Sequence, residues 1–368
     1  MDSVRIGVAL TCKNAALTIK YSLLSVLKQS GVDLSVVIVD SYSNDSTDII
    51  ALETLRKFNI PYRIVKRKSN IAEGRNIAFK LALDFDPDYV LSFDADVILK
   101  YKNLLKSLSE ISSGKRVIYA AYEHITLRGV NEVYNFCEKL IKKLEFSFLK
   151  KSGLNYRKSK WCGLGATLLP RKLVELVELN PNLSFAEDRQ FGFLCWKHKF
   201  PILWVTYGKD LLSLDVNLQR GKLSNIYLGM GIREYLRGIS DKILWSEIWQ
   251  WYEGSFIRTL RNFLFSPYSR AKRHAFHIII DALIAYSLLS LPSSPLLSLS
   301  IFMMIISTLL GWGLKKGLRI SEIPKQFIKF NIYSLTTLLL FIPSYIKHRG
   351  LLQEAYKVYN LYSERIFS

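Results

Sequence analysis

Strand-like and helix-like patterns alternate through the first hundred residues of this chain. Short apolar runs typical of strands occupy 4–10, 34–40, 61–67 and 89–96. Apolar positions with helical spacing fill the segments between them, at 18–30, 46–58 and 72–83. This alternation with short links predicts an α/β domain with a parallel sheet. Ligands of such sheets bind beyond the carboxyl ends of the strands, so polar residues that follow a strand are the first candidates for chemistry.

Long apolar stretches replace this pattern in the last hundred residues, at 275–291, 296–314 and 330–346. A helix needs about 20 apolar residues, with a range of about 17–25, to cross a bilayer core of about 30 Å. The second stretch carries no charge, whereas Asp281 interrupts the first and Pro343 lies near the end of the third. The pattern favours membrane helices over a buried helical core in a soluble domain, because three such stretches in a row are rare outside membranes.

Basic residues around these stretches predict how they are oriented. They precede the first stretch and separate the second from the third, so the positive-inside rule makes the first two helices a hairpin with cytoplasmic outer ends. Lys347 and Arg349 follow the third stretch and break the pattern, so that segment is either re-entrant or an exception to the rule. The aromatic and basic segment 244–265 fits equally a helix in the membrane interface or an amphipathic helix packed on a soluble domain.

The chain is thus expected to hold an α/β domain at 1–220, a juxtamembrane amphipathic segment at 221–272, and membrane-anchoring helices with a tail at 273–368. We recognise no signal peptide at its start. We therefore expect an integral membrane protein whose N-terminal domain lies on the cytoplasmic side of the cell membrane.

Charge adds a constraint on partners. The 51 Lys and Arg residues outnumber the 31 Asp and Glu residues, and the formal net charge is +20. Such an excess favours an acidic partner, which is a nucleic acid, a phosphate-bearing ligand or an anionic membrane face. Because the basic residues are dispersed and no RNA-binding motif is visible, we expect no nucleic-acid partner. The four cysteines are far apart, which excludes a disulfide scaffold and leaves no metal-type spacing.

Asp94 and Asp96 follow the apolar strand at 89–93. Two carboxylates at i and i+2 can converge on one cation once the chain leaves the sheet. Mg²⁺ and Mn²⁺ prefer oxygen ligands and keep positions open for phosphate oxygens. A solvated turn is the alternative interpretation, and the position after a buried strand favours the cation site.

Other polar positions are open to two interpretations each. Asp40 ends a strand, where it could accept hydrogen bonds from a base or a ribose, or act as a helix N-cap, a role that Asp45 or Ser46 fits better. Arg75 could pair with a phosphate or simply belong to a tight helix start. Glu187 and Asp188 could supply a general base, or form an ordinary acidic helix N-terminus. Two glycines in the segment 160–166 suggest a wall that a sugar or a backbone approaches closely, or a structural bend.

In their order along the chain these elements resemble the family 2 glycosyltransferases, which have a GT-A fold. The resemblance covers about residues 4–200. It is carried by the segments 8–30, 38–47, 70–76, 92–99 and 185–200. It implies a nucleotide-diphospho-sugar transferase domain with a Rossmann-like mixed sheet, followed by a helical membrane domain.

The resemblance also implies residue roles. The positions that match donor-binding residues are Thr11, Asn14, Asp40, Ser41, Arg75, Asp94 and Asp96. Asp94 and Asp96 match the pair that binds a divalent cation, Mg²⁺ or Mn²⁺, and the pair Glu187 and Asp188 matches the one that carries the catalytic base, at Asp188. Ser41 stands where the family often has a second Asp, which leaves the choice of base open. Residues 219–222 do not match the Gln-x-x-Arg-Trp motif of processive synthases, which disfavours polymer synthesis.

The expected protein is a membrane-bound, metal-dependent, inverting hexosyltransferase. It moves a sugar from a nucleoside-diphosphate sugar to a hydroxyl of a lipid-linked glycan. The alternative is a polyprenyl (dolichyl) phosphate hexose synthase, whose phosphate acceptor is already ionised at neutral pH and needs no base. The Glu187–Asp188 pair favours the hydroxyl acceptor. A catalytically inactive membrane scaffold and a basic nucleic-acid binder are more distant alternatives. Expected partners are the nucleotide sugar, the lipid-linked acceptor and membrane lipids.

Overall fold

The computed structural model describes most of the first 218 residues and part of the C-terminal region. The described residues are 3–159, 161–183, 186–208, 210, 212–218, 291–315 and 320–323, with positions 280, 283, 284, 286, 287, 289, 346 and 350. The chain divides into two compact units, Met1–Gly238 and Ile239–Ser368.

Strands and helices alternate in the first unit as the apolar pattern predicts. The strands are β1 Val4–Cys12, β2 Val32–Asp40, β3 Tyr62–Lys66, β4 Tyr89–Asp94, β5 Val97–Leu99, β6 Val117–Ala120, β7 Tyr122–Leu127, β8 Leu154–Ser159, β9 Ala166–Pro170, β10 Ile202–Tyr207 and β11 Ser213–Leu218. The helices are α1 Ile19–Leu27, α2 Thr47–Leu55, α3 Ile71–Leu83, α4 Leu104–Ser112, α5 Val130–Leu144, α6 Arg171–Val174 and α7 Glu187–Lys197, with a 3₁₀ turn at Lys151–Gly153.

Eight of these strands form one sheet, in the order β3-β2-β1-β4-β9-β6-β10-β8. Strand β1 runs parallel to β2 and β4, whereas β9 lies antiparallel between β4 and β6. A second sheet has the order β5-β11-β7. The mixed α/β sheet implied by the resemblance is confirmed. The parallel sheet predicted from alternation alone holds for β3, β2, β1 and β4, and β6 and β10 form a further parallel pair. The antiparallel strands β9 and β8 make the sheet mixed.

The central strands are apolar along most of their length because both faces of the sheet are covered. Successive strand side chains point to opposite faces. On one face, Val8 and Ile38 pack with α1, α2 and α4. On the other face, Ala9 and Val37 pack with α3, α6 and α7. Burial on both faces explains the near-continuous apolar runs that mark these strands in the sequence. It also holds the strand ends, and the polar residues on them, in fixed positions.

Helix α8, Pro295–Lys315, is the main described element of the second unit. It coincides with the apolar stretch predicted at 296–314, and it buries Ile305 against Ile280. No helix among the described residues is both long and apolar enough to cross a membrane, so the predicted transmembrane helices are not shown. The segment 221–272 and most of 275–291 and 330–346 lie outside the described residues.

Candidate active site

A buried arginine connects two acidic motifs at the carboxyl edge of the large sheet. Arg75 of α3 donates from Nη2 to Asp94 Oδ1 at 2.9 Å, and from Nη1 to Ser92 Oγ and the Leu164 carbonyl at 3.0 Å. Its Nε lies 3.6 Å from Glu187 Oε1. That distance is too long for a hydrogen bond, and Nε has no hydrogen-bond partner among the described residues. The arginine therefore joins the end of β4 to the first turn of α7.

The start of α3 fixes the direction from which Arg75 enters the site. Asn70 accepts from the Glu73 N–H, and the Glu73 carboxylate accepts from the Asn70 N–H, which together form a capping box. A Cβ on Gly74 would lie 3.2 Å from Ser69 Oγ and 3.4 Å from Thr11 Cγ2. Because glycine has no side chain, helix α3 can approach β1 closely at this position. The capped, close-packed start of α3 therefore places Arg75 where it can pair with Asp94.

Arg75 stays charged despite its burial. The side chain is 3% exposed, and loss of water by itself lowers the pKa of a guanidinium. The negative charges of Asp94 and Glu187 outweigh this effect, so the net change raises the pKa of Arg75. The resemblance implied an Arg75 that contacts the donor. In the structure its guanidinium contacts Asp94, Ser92 and the Leu164 carbonyl, and its donor-binding role stays a prediction.

The two carboxylates of the acidic pair have different surroundings. Glu187 is buried, and Asp188 is partly exposed in the first turn of α7. Burial raises the pKa of Glu187 to about 7, against the lowering effect of Arg75, and the charge of Asp188 adds to the rise. Asp188 Oδ1 accepts from the Arg189 N–H at 2.8 Å. Glu187 is therefore suited to position Arg75, whereas Asp188 is the accessible member of the pair.

Asp96 lies in the turn after β4, beside two further carboxylates. Burial, and then the charges of Asp215 and Asp94, raise its pKa well above the usual range. Asp215 belongs to β11, where it stands opposite Val97, and its Oδ2 lies 2.5 Å from His124 Nδ1 of β7. Sequence reasoning missed Asp215, although a single acid in the apolar strand 213–218 was a usable signal. In the described residues no three His, Cys, Asp or Glu side chains are arranged to hold a metal ion.

Asp40 ends β2 at the same edge, because Cys12 pairs with Asp40 and Thr11 pairs with Asp94. The Asp40 side chain is fully buried, and it accepts the Ser43 N–H at 3.1 and 3.2 Å as well as the Ser43 hydroxyl. Lys66 Nζ lies 4.0 Å from its Oδ2. The carboxylate therefore shapes the turn that follows β2.

Two other predicted donor-binding residues connect the loops of this edge. Ser41 donates from its hydroxyl to the Ser69 carbonyl at 2.7 Å. Asn14 Oδ1 accepts from the Asn44 N–H at 2.9 Å. The structure thus brings Thr11, Asn14, Asp40 and Ser41 to one edge, with hydrogen bonds that hold the loops to one another.

The two glycines of the segment 160–166 lie against site residues. A Cβ on Gly165 would lie 2.9 Å from Asp94 Oδ2 and 3.1 Å from Tyr122 Cε1. A Cβ on Gly163 would lie 3.1 Å from the Tyr119 hydroxyl and 3.3 Å from that of Tyr122. The close approach that the sequence suggested is therefore made by Asp94 and by two tyrosines.

Part of this chain is similar in sequence to a known protein family, and its fold is similar to solved structures. Residues 8–161 match the family model described as Glycosyl transferase family 2. The solved mannosyltransferase PcManGT from Pyrobaculum calidifontis, in complex with GDP-Man and Mn²⁺, is similar with a TM-score of 0.55 and 13% identity, over 93% of this chain and 88% of that chain. TarS 1-349 from S. aureus, in complex with UDP, has a TM-score of 0.44 and 14% identity, over 93% of this chain and 89% of that chain. No curated protein sequence matches the chain. Residues 8–161 therefore resemble the family 2 glycosyltransferases, and the similarity to PcManGT shows a GT-A-like fold.

The contact of Gly165 with Asp94 yields a stability prediction. We expect Gly165→Ala to lower the free energy of unfolding by about 1–3 kcal/mol, because the added methyl displaces a carboxylate that Arg75 holds in place. Gly129→Ala is the matched control, since the nearest atom to its added Cβ is a Glu132 carbon 3.9 Å away. A double-mutant cycle with Asp94→Ala measures the coupling. An equal cost of Gly165→Ala with and without Asp94 would contradict this interpretation.

The raised pKa of Glu187 yields a pH prediction. This pKa rises from 4.5 to about 7 on folding, so the folded state binds more protons between these values and loses stability as the pH rises through them. The Gln side chain of Glu187→Gln stays neutral, so this variant does not lose stability through ionisation at position 187. The melting temperature of the variant minus that of the wild type should therefore increase between about pH 5 and pH 8. The change corresponds to about 3 kcal/mol at most. Thermal melts over this range measure it, with the exposed Glu178→Gln as the control. A difference that is flat or decreasing for Glu187→Gln would show that burial does not dominate at this carboxyl.

Proposed function

We propose that this protein transfers a sugar from a nucleoside-diphosphate sugar to an acceptor hydroxyl, with inversion at the anomeric carbon. The observation that carries the proposal is the Arg75 connection between Asp94 and Glu187. It brings the acidic pair at the end of β4 and the acidic pair at the start of α7 to one edge of the sheet. A transferase of this kind needs one group for the departing diphosphate and another for the acceptor proton.

Asp188 is the proposed general base. It accepts the proton of the acceptor hydroxyl as that oxygen attacks the anomeric carbon from the side opposite the diphosphate. The bond between the anomeric carbon and the phosphate oxygen then breaks, and its electron pair leaves with the nucleoside diphosphate. A positioned base of this kind contributes roughly 10²–10⁴-fold to the rate. Glu187 and Arg75 act as positioning residues that hold Asp188 and Asp94 in relation to each other.

Asp94 and Asp96 are the residues that would hold a divalent cation. Their oxygens suit Mg²⁺ or Mn²⁺, and the raised pKa of Asp96 reflects burial first and then the negative charges of Asp215 and Asp94. Arg75 engages Asp94 Oδ1, and Asp94 Oδ2 lies beside Gly165. Two protein carboxylates leave the remaining positions for water and phosphate oxygens, which is usual for Mg²⁺. A cation bound here supplies charge neutralisation for the leaving diphosphate.

Thr11, Asn14, Asp40 and Ser41 are the proposed donor-binding residues beside this centre. They lie at the ends of β1 and β2 and in the loops that follow. We expect the donor base to lie against the β2 end, where Asp40 shapes the loop, while the diphosphate points toward Asp94 at the β4 end. Parallel register between these strands supports this arrangement.

Asp188→Asn tests the proposal. We expect nucleoside diphosphate release from UDP- or GDP-sugars to fall by roughly 10²–10⁴-fold, while binding of UDP or GDP with Mn²⁺ by calorimetry stays within about threefold. Asp33→Asn is the matched control, because Asp33 is exposed and lies at the opposite end of β2 from Asp40. Equal nucleoside diphosphate release by Asp188→Asn and by the wild type would contradict the role of Asp188 as the base. Release that is unchanged by EDTA would contradict the requirement for a cation.

The acceptor is proposed to be a lipid-linked glycan. An acidic pair with an accessible carboxylate favours a hydroxyl nucleophile over a phosphate, since a phosphate is already ionised at neutral pH. The competing activity is polyprenyl phosphate hexose synthesis. The same release assay separates the two, because dependence on added polyprenyl phosphate would favour the synthase.

We also propose that the second unit attaches the protein to a membrane, with the catalytic domain on the cytoplasmic side. Its support is the absence of charged residues from 295 to 314 in α8, and the exposure of apolar side chains on this helix. The exposed side chains include Leu296, Leu299, Phe302, Met303 and Met304.

We expect the full chain to sediment with cell membranes and to stay there after a carbonate wash, because buried apolar surface and not charge would retain it. Immunoblots of the pellet and supernatant after each wash measure this retention. Release into the supernatant by carbonate or by high salt would contradict membrane insertion.

A further inference from the structure

Three aromatic rings contact one another beside the glycine segment. Trp161 lies 6.2 Å from Tyr119 and 6.0 Å from Trp204, measured between ring centroids, and Tyr119 lies 5.3 Å from Trp204. We call Tyr119, Trp161 and Trp204 the aromatic cluster. Trp161 is its outer member and is 41% exposed, whereas Tyr119 is 4% exposed. An exposed tryptophan therefore rests on a buried tyrosine and a half-buried tryptophan.

The sheet fixes two rings of this cluster, Tyr119 and Trp204. Trp204 of β10 stands opposite Tyr119 of β6 in the parallel register and opposite Arg157 of β8 in the antiparallel register. The Arg157 guanidinium lies 4.7 Å from the Trp204 ring centroid. Trp204 is therefore fixed from both neighbouring strands. A large ring held in place before binding loses little conformational freedom when a ligand covers it.

The cluster continues into the acidic centre. The Tyr119 ring meets the Tyr122 ring edge-on at 6.1 Å. A Cβ on Gly165 would touch both Tyr122 Cε1 and Asp94 Oδ2. Burial, and then the charges of Cys162 and Asp188, raise the pKa of Tyr119. Ring contacts therefore lead from the exposed tryptophan to Tyr122, and Gly165, whose carbonyl accepts the Asp94 N–H at 3.0 Å, lies between Tyr122 and Asp94.

Strand order places the cluster on the side away from the donor base. The order β2-β1-β4-β9-β6-β10 puts Asp40 two strands from Asp94 on one side, and puts Tyr119 two strands from Asp94 on the other. At about 4.8 Å per strand, each separation is about 10 Å. A donor whose base lies at β2 and whose diphosphate lies at β4 leaves the β6 and β10 side for the acceptor.

The chemistry of the cluster fits a sugar. One face of many pyranose rings consists of C–H groups, and hydroxyls surround its rim. The π face of an aromatic ring carries partial negative charge and attracts such C–H groups. The Tyr122 hydroxyl and the acidic edge lie beside the cluster to meet the rim.

We propose that Trp161, held by Tyr119 and Trp204, is the stacking surface for a pyranose ring of the acceptor. This inference rests on the proposed glycosyltransferase function and adds to it the surface that binds the saccharide part of the acceptor. The segment between β8 and β9 thereby contributes to acceptor selection.

Saturation-transfer difference NMR on the full-length protein tests the inference without any turnover. The probes are methyl glycosides of glucose, galactose, mannose and N-acetylglucosamine, in both anomeric forms, with UDP or GDP and Mn²⁺ present. We expect at least one glycoside to give signals concentrated on the C–H groups of one ring face. Trp161→Ala and Trp161→Leu should weaken its binding on the order of tenfold, and Trp161→Phe should weaken it less, because a smaller ring remains.

Tyr62→Ala is the matched control. Tyr62 is an aromatic residue of similar exposure, 36%, and lies on β3 at the far edge of the sheet from β8. It should leave the signals unchanged. Trp161→Leu and Trp161→Phe keep apolar bulk against the two supporting rings, so they report on stacking if Trp161→Ala fails to fold.

Two results would overturn the inference. One is binding of a glycoside that is equal in wild type and in Trp161→Leu. The other is no binding of any glycoside to the wild type. Failure of the transferase proposal itself would look different, as an absence of nucleoside diphosphate release from every donor whatever the state of position 161.

Discussion

The site depends on one buried positive charge. Arg75 lies inside the protein with Asp94 on one side and Glu187 on the other, and these carboxylates belong to elements nearly a hundred residues apart. Removing one partner of a buried ion pair leaves a charge without compensation, which is strongly destabilising. The three groups therefore constrain one another. The end of β4 and the start of α7 are held in relation by this contact as well as by the hydrophobic core.

That arrangement explains why the two acids of the α7 pair are not equivalent. Glu187 faces inward to the guanidinium and is partly neutralised by burial, whereas Asp188 is partly exposed. Their adjacent positions in the sequence conceal this difference. The proposed mechanism uses both, with Glu187 as part of the frame and Asp188 as the group that meets the acceptor.

The first half of the domain could be predicted from the sequence in some detail. The period of apolar residues identifies every strand and helix up to Asp94, because a sheet covered on both faces demands continuous apolar strands. The positions of Asp40 and Asp94 at one edge follow from that order. The partners of Arg75 could not be predicted, since nothing local links residue 75 to residues 94 and 187. Asp215 and the aromatic cluster were missed for the same reason, because strand pairings that are distant in sequence create them.

The antiparallel strand β9 has an evolutionary consequence. Because it runs opposite to β4 and β6, the segment from Trp161 to Gly165 enters the sheet at the edge where β4 and β6 end. The residues around Asp40 and Asp94 come from a separate, continuous stretch that ends near Leu99. Leu164 and Gly165 are hydrogen-bonded to the residues of that stretch, whereas the Trp161 side chain is exposed. Substitution at Trp161 can therefore change what one half of the edge accepts while the hydrogen-bonded frame of β1, β2 and β4 stays the same.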